Sequence, residues 1–91
     1  MGSNKVTTTL TNKVQQFIIE YIEDNTALDN VTVNEASNFV NEQLLDSFAT
    51  LSMIMTLESE FSIKLSPAEL TDEKMRVVGF LAESVARKIS A

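Results

Sequence analysis

The sequence contains neither cysteine nor histidine. Without cysteine the chain can form no disulfide, no zinc–thiolate site and no thiol nucleophile. Without histidine it lacks the most common general base and the most common metal ligand. A calcium loop of the Asp-x-Asp-x-Asn-Gly type is also missing around Asp24 to Asn30. We therefore expect that the chain holds no metal and is not an enzyme.

Glycine and proline are scarce, with two glycines and one proline among 91 residues. The hairpin turns of an all-β domain would have few candidate residues, which favours helices. A chain of this length has room for one core. We expect one domain over residues 7–90, preceded by a disordered or tag-derived segment, residues 1–6.

Long apolar runs are missing as well. Phe17-Ile18-Ile19 is typical of the longest ones, whereas a membrane span needs about 18 apolar residues or more. The amino terminus also lacks the apolar segment of a signal peptide. We expect a cytoplasmic protein, monomeric and without a membrane span.

Positive charge is absent from the middle of the chain. Between Val14 and Ile63 there are nine acidic residues and no lysine or arginine, and the net charge of the whole chain is −6. Such a surface repels the phosphates of nucleic acid, so we expect no nucleic-acid partner. It attracts proteins that carry basic patches, although it can also serve only to keep a small protein in solution.

The apolar residues that are present follow helical periods. The first helix is predicted from about Thr9 to Asp24, with an apolar face of Leu10, Val14, Phe17, Ile18, Tyr21 and Ile22. The last helix is predicted from about Val77 to Lys88, with Phe80 expected to be buried beside its apolar face of Val78, Leu81, Ala82, Val85 and Ile89. The stretch from Asn25 to Gln43 reads as a long, partly packed connection. Ser66-Pro67-Ala68-Glu69 is a capping box that predicts a short helix near Pro67 to Lys74; Thr71-Asp72 is a competing cap signal.

The second helix is predicted to begin at Asp46 or Ser47 and to end near Phe61. Phe48, Leu51, Ile54, Met55 and Glu58 recur at spacings of three and four, and the apolar members of this set predict a core face. Together these elements predict an all-α fold, a small antiparallel four-helix bundle with three longer helices, a short third helix and a long first loop.

Ser47 begins this helix, and its hydroxyl is expected to stand clear of the helix barrel. Asp and Ser are both preferred caps, so the pair Asp46-Ser47 can be an ordinary helix start. The alternative is a site of covalent attachment. A serine without a neighbouring histidine is a weak nucleophile, so another protein would have to supply the base for any reaction at Ser47.

Asp46-Ser47-Phe48 resembles the modification site of acyl carrier and peptidyl carrier proteins, in which Asp-Ser-Leu or a close variant opens the second helix. Leu57-Glu58-Ser59-Glu60-Phe61-Ser62-Ile63 is similar to the family's helix end. The resemblance covers nearly the whole chain. It implies a 4'-phosphopantetheine arm joined to Ser47 beside Asp46, and a thioester-linked cargo on the thiol of that arm. It also implies three kinds of partner: a phosphopantetheinyl transferase, an acyl or aminoacyl loading enzyme, and a downstream synthase or transferase.

Some residues depart from the fatty-acid carriers of this family. Leu44 stands where those carriers usually have glycine, and Ala49 and Ser52 stand where they carry exposed acids. We therefore expect a stand-alone carrier of polyketide or nonribosomal-peptide type. A D-alanyl carrier for teichoic acid modification, or an acidic helical module without an arm, are the alternatives.

Exposed residues around Ser47 are candidates for contact with partner enzymes. They are expected to be Phe48, Ala49, Ser52 and Met53. Methionine adapts to several partners at a binding surface. At least one of Met53 and Met55 is expected to fill the core instead.

Overall fold

A computed structural model describes residues 2–90, with side chains from Thr9 onwards. Its elements in chain order are α1 (Gly2–Asn25), α2 (Ser47–Phe61), α3 (Pro67–Leu70), a 3₁₀ turn (Glu73–Arg76) and α4 (Val78–Ser90). These elements confirm the predicted all-α bundle with a long first connection. Within residues 2–90, no helix is long and apolar enough to cross a membrane.

The start of α1 differs from the prediction. The helix begins at Gly2, upstream of the predicted start near Thr9. The physical reason is that a threonine run favours a helix start without breaking a helix that begins earlier, and the chain's one proline, Pro67, lies far away. The expectation that residues 1–6 are a disordered or tag-derived segment stays a prediction.

The core is built from the predicted faces of the first and last helices. Val14, Ile18 and Ile22 of α1 are fully buried. On α4 the fully buried residues are Val78, Leu81, Ala82, Val85 and Ala86. Since burying one large aliphatic side chain contributes about 1.5–3 kcal/mol, these two faces supply much of the stabilisation. Phe80 is an exception: it is 38% exposed, so its predicted burial is wrong, because it lies off the buried stripe of α4.

The first connection is tied to the start of α4 by its backbone. The Phe39 amide donates to the Arg76 carbonyl (3.0 Å), and the Gly79 amide donates to the Glu35 carbonyl (2.8 Å). Asn38 and Val77 form an isolated antiparallel bridge beside these bonds. Phe39 itself is buried. The connection is therefore packed against the bundle, as predicted.

The two cap signals predicted to compete are both used. Ser66 and Glu69 form the capping box of α3, and Asp72 caps the 3₁₀ turn by accepting from the Lys74 amide at 3.0 Å. Two short elements therefore replace the single predicted helix from Pro67 to Lys74. Each cap accepts hydrogen bonds from the amides of the turn that follows it, so one element begins after Ser66 and a new one begins after Asp72.

Glu69 also links α3 to α4. Its carboxylate accepts from the Ser66 amide at 2.8 Å and lies 2.9 Å from the Lys88 ammonium. The hydrogen bond from the Ser66 backbone, followed by the one from Lys88, lowers the pKa of Glu69. Glu69 is therefore ionised in the folded protein at neutral pH and holds the short helix against the end of α4.

Candidate functional site

Asp46 and Ser47 form the amino-terminal end of α2. The Asp46 backbone is extended, and its carboxylate accepts from the Ala49 amide at 2.7 Å. Asp46 is therefore the N-cap, and Ser47 is the first helical residue. This geometry frees the Ser47 hydroxyl from any capping role, and the residue is exposed. A reagent in solution can reach this hydroxyl.

A cleft of about 640 Å³ opens beside Ser47. One wall is the first half of α2, another is the end of the first connection, and the third comes from α3 and the 3₁₀ turn. Phe39, Leu45, Ile54 and Met75 line it and are buried. The volume and the largely apolar lining lie in the range of small-molecule sites in proteins. The cleft can thus hold a chain-like group that is attached at Ser47.

Three polar residues of the cleft differ in the hydrogen bonds and ion pairs that they already make. Asp46 already accepts from a backbone amide. Thr50, one helical turn after Ser47, has a buried hydroxyl with no hydrogen-bond partner among residues 9–90. Arg76 lines the cleft from the 3₁₀ turn and is partly buried. Within the same part of the chain its guanidinium has no ion pair, since the two ion pairs found join Arg87 with Glu83 and Lys88 with Glu69.

The predicted core face of α2 is mostly wrong. Phe48, Leu51 and Met55 are exposed, with 82%, 55% and 60% of their surface accessible. Met53, Ile54 and Leu57 are buried instead. Two stripes of α2 are apolar, so periodicity could not decide which one faces the core. The exposed stripe of Phe48, Leu51 and Met55 is called here the apolar face of α2.

This placement also corrects one candidate contact residue. Met53 is fully buried, so its predicted exposure is wrong, whereas Met55 is exposed; the expectation that one of the two methionines fills the core is confirmed. Ala49 and Ser52 are partly exposed. The Ser52 hydroxyl accepts from the Tyr21 hydroxyl at 3.1 Å, which links α2 to α1. Whether Phe48, Ala49 and Ser52 contact partner enzymes stays a prediction.

The residues that the sequence analysis missed are those that long-range packing brings to Ser47. Leu70, Met75 and Arg76 lie far from Ser47 along the chain, and Phe39 belongs to the first connection, yet all four line its cleft. The bond between the Phe39 amide and the Arg76 carbonyl is what unites their segments. No pattern in the local sequence predicts that these two segments pair. Thr50 could have been found, since one helical turn separates it from Ser47.

Comparison with known proteins agrees with this geometry. The family model described as "Phosphopantetheine attachment site" matches residues 16–82. An acyl carrier protein of Chlamydia felis (strain Fe/C-56) is 40% identical over 58 residues, which cover 64% of this chain and 72% of that protein. No solved structure matches. The matched range contains Asp46, Ser47 and every residue that lines the cleft.

Proposed function

The chain belongs to the phosphopantetheine attachment-site family, as an acyl carrier protein with covalent 4'-phosphopantetheine as its cofactor, and on that premise we propose that Ser47 is the attachment residue. The observation that carries the proposal is the exposed Ser47 hydroxyl, left free at the start of α2 because Asp46 is the cap. The family membership sets aside the alternative of a helical module without an arm. Members of this family are carriers that other enzymes modify and load.

The residues around Ser47 fit such a group. The cleft beside Ser47 has apolar walls for the methylenes of the arm. The Thr50 hydroxyl, which has no hydrogen-bond partner among residues 9–90, offers a hydrogen bond to one of its amides. The amino-terminal end of α2 favours a negatively charged phosphate through its free amides and its dipole. When bound, the group supplies a thiol for thioester chemistry, in a chain that has no cysteine.

Attachment needs chemistry from outside the chain. The Ser47 oxygen forms a bond to phosphorus, its proton leaves, and the bond between that phosphorus and the nucleotide part of coenzyme A breaks. An isolated serine does not lose its proton at neutral pH, and the chain has no histidine to take it. The base and metal therefore belong to a phosphopantetheinyl transferase, and this chain contributes the acceptor and its recognition.

Ser47→Ala tests the assignment. We expect the wild-type protein, incubated with a broad-specificity transferase and coenzyme A, to gain the mass of one phosphopantetheinyl group, and Ser47→Ala to gain none. Intact-mass spectrometry measures both. Ser66→Ala is a matched control, because Ser66 is another exposed serine beside a helix start, and it should be modified like the wild type. Modification that persists in Ser47→Ala contradicts the proposal.

We further propose a stand-alone carrier of polyketide or nonribosomal-peptide type, which acts in the cytoplasm as a monomeric domain over residues 7–90. The support is the apolar face of α2: Phe48, Leu51 and Met55 are exposed, and the first acid of α2 is Glu58. A partner that binds this face gains affinity from apolar burial more than from salt bridges. A partner enzyme whose basic patch recognises acidic residues just after the attachment site has no such residues to bind here.

The apolar face of α2 can be tested by charge. Met55→Glu is expected to slow loading by the cognate enzyme at least tenfold, because a carboxylate replaces an apolar side chain on this exposed face. Met55 lies outside the lining of the cleft beside Ser47, so the change leaves that cleft intact. The acid-to-apolar control Glu60→Leu changes an exposed residue at the far end of α2 and should leave the rate unchanged. Faster loading of Met55→Glu by a fatty-acid synthesis acyltransferase, with no loss in adenylation-enzyme loading, would contradict the role of this face.

The D-alanyl alternative concerns the same site and differs in cargo. Incubating the phosphopantetheinylated protein with ATP, D-alanine and a D-alanine-activating ligase tests it directly. A gain of one alanyl group at the thiol, with no loading by other adenylation enzymes, would favour teichoic acid modification. Its absence, with loading of another amino or carboxylic acid, favours the biosynthetic carrier.

A further inference from the structure

Arg76 is the basic residue that the fold brings to the attachment cleft. No lysine or arginine lies between Val14 and Ile63, so the segments that form the connection and α2 bring no positive side chain to this cleft. Among the residues that line the cleft, the charged ones are Asp46 and Arg76. Arg76, whose guanidinium has no carboxylate partner among residues 9–90, therefore lines the same cleft as the exposed Ser47.

The backbone of Arg76 is held in place. Its carbonyl accepts from the Phe39 amide at 3.0 Å, and the next residue, Val77, bridges to Asn38. The Val77 amide closes the 3₁₀ turn on the Lys74 carbonyl at 3.1 Å. The Arg76 backbone thus belongs to the cleft wall and does not depend on a flexible loop. Because this backbone is already fixed, binding of an anion by the side chain costs no further backbone entropy.

The charge balance changes when Ser47 is modified. A phosphodiester adds one negative charge beside the Asp46 carboxylate, and like charges at short range repel. Asp46 cannot move away freely, because it caps α2 through the Ala49 amide. A cation in the same cleft offsets this repulsion. Arginine suits the task, since its planar fork donates two hydrogen bonds to one phosphate group.

We propose that Arg76 is a positioning residue for the arm: its guanidinium binds the phosphodiester on Ser47 and directs the proximal part of the arm into the cleft past Thr50. This inference rests on the proposed attachment at Ser47. It assigns to the 3₁₀ turn a function besides packing. Without Arg76, the arm would leave the cleft and move freely in solvent.

The test compares Arg76→Gln with the wild type in the phosphopantetheinylated state, with a free thiol and no cargo. Coenzyme A labelled with ¹⁵N in its pantetheine amides supplies the arm. In the wild type we expect an order parameter above about 0.6 for the amide nearer the phosphate, and in Arg76→Gln a value below it, which is typical of a flexible segment. The Arg76 Nε–Hε resonance of the wild type should also shift when the arm is attached.

Two further variants distinguish the effect of a cation at position 76 from the effect of positive charge elsewhere on the 3₁₀ turn. Lys74→Gln removes one positive charge from the same 3₁₀ turn, and Lys74 is exposed and outside the cleft lining, so it should behave like the wild type. Arg76→Lys should restore part of the arm's order, since it keeps the charge and loses the fork. Circular dichroism of each unmodified variant shows whether the bundle is intact. For a variant that fails to fold, the Nε–Hε shift of the wild type on modification still decides the question.

The outcomes distinguish this inference from the function on which it rests. No mass gain at Ser47 in the wild type would overturn the proposed attachment. A normal mass gain, with equal order parameters in wild type and Arg76→Gln and no shift at Nε–Hε, would overturn only the role of Arg76. An effect of Arg76→Gln that arises only after loading of a carboxylate-bearing cargo would also overturn it, because the anion bound would then be the cargo.

Discussion

Ser62 ends α2 in a left-handed conformation, with φ 53° and ψ 47°. Its amide and the Ile63 amide both close on the Glu58 carbonyl. A residue with a Cβ atom is strained in this region by roughly 1–2 kcal/mol, and glycine is not. Helices very commonly end on a glycine for this reason.

Ser62→Gly is therefore expected to stabilise the protein by about 1 kcal/mol, with the greater unfolded-state freedom of glycine offsetting part of the gain. Urea unfolding measures it as a higher midpoint with an unchanged slope. Ser59→Gly, inside α2 and exposed, is the control and should lose roughly 0.5 kcal/mol, the difference in helix propensity between serine and glycine. Equal effects of the two changes would mean that Ser62 is not strained.

At the residue scale, the features that could be predicted from the sequence are those that depend on residues within one helical turn of each other. The sequence predicts a cap at Asp46 or Ser47, and in the structure the Asp46 carboxylate accepts from the amide three residues on. The predicted Ser66–Glu69 capping box works over the same distance. Arg76 could not be predicted as part of the site. Its place in the cleft depends on a backbone bond to Phe39 across the fold.

At the scale of elements, α4 meets the first connection at Gly79. A Cβ atom built on Gly79 would lie 3.0 Å from the Glu35 carbonyl oxygen and 3.3 Å from the Glu35 Cβ. The same carbonyl accepts from the Gly79 amide at 2.8 Å. A side chain at position 79 would therefore require Glu35 of the first connection to shift by a few tenths of an ångström.

Gly79→Ala is expected to destabilise the protein by about 1 kcal/mol, although alanine is the better helix former, because the first connection has to move away from α4. Thermal unfolding followed by circular dichroism measures the change. Ser84→Ala is a control on the same helix, further from the connection. A higher melting temperature for Gly79→Ala would show that the connection yields easily and that the close approach is unimportant.

The periodicity of the apolar residues predicts that the helices form, but it does not predict which face of α2 packs against the core. On α1 and α4 a single apolar stripe faces the core, so the predicted and observed faces agree. On α2 the apolar face of Phe48, Leu51 and Met55 competes with the stripe of Met53, Ile54 and Leu57. Hydrophobicity alone cannot separate a stripe that packs from one that is exposed.

At the scale of the whole molecule, the helices are held unequally. α1 packs along α4, whereas α2 approaches α1 at few points. α2 is held by its buried side chains, by the Tyr21–Ser52 hydrogen bond and by the hydrogen bond from the Leu65 amide to the Glu58 carboxylate (2.9 Å). The scaffold is therefore the α1–α4 pair, and the helix that carries Ser47 is attached to it.

This arrangement predicts a gradient of protection in native-state hydrogen exchange. Amides of α1 near Ile18 and of α4 near Val85 should exchange only on global unfolding, and amides of α2 through a smaller opening, at least about 1 kcal/mol lower. Exchange rates measured by NMR at increasing low denaturant give both free energies. Identical values for α1, α2 and α4 would mean that the bundle opens only as one unit.

The hydrogen bond from Tyr21 to Ser52 also makes the intrinsic fluorescence of Tyr21 sensitive to the position of α2. Tyr21 is the only tyrosine and the chain has no tryptophan, so nearly all of the intrinsic ultraviolet fluorescence comes from one phenol ring. The hydroxyl of that ring, on α1, donates a hydrogen bond to Ser52 of α2. Any event that shifts α2, such as loading of the arm or docking of a partner, changes the emission of this ring without an added dye.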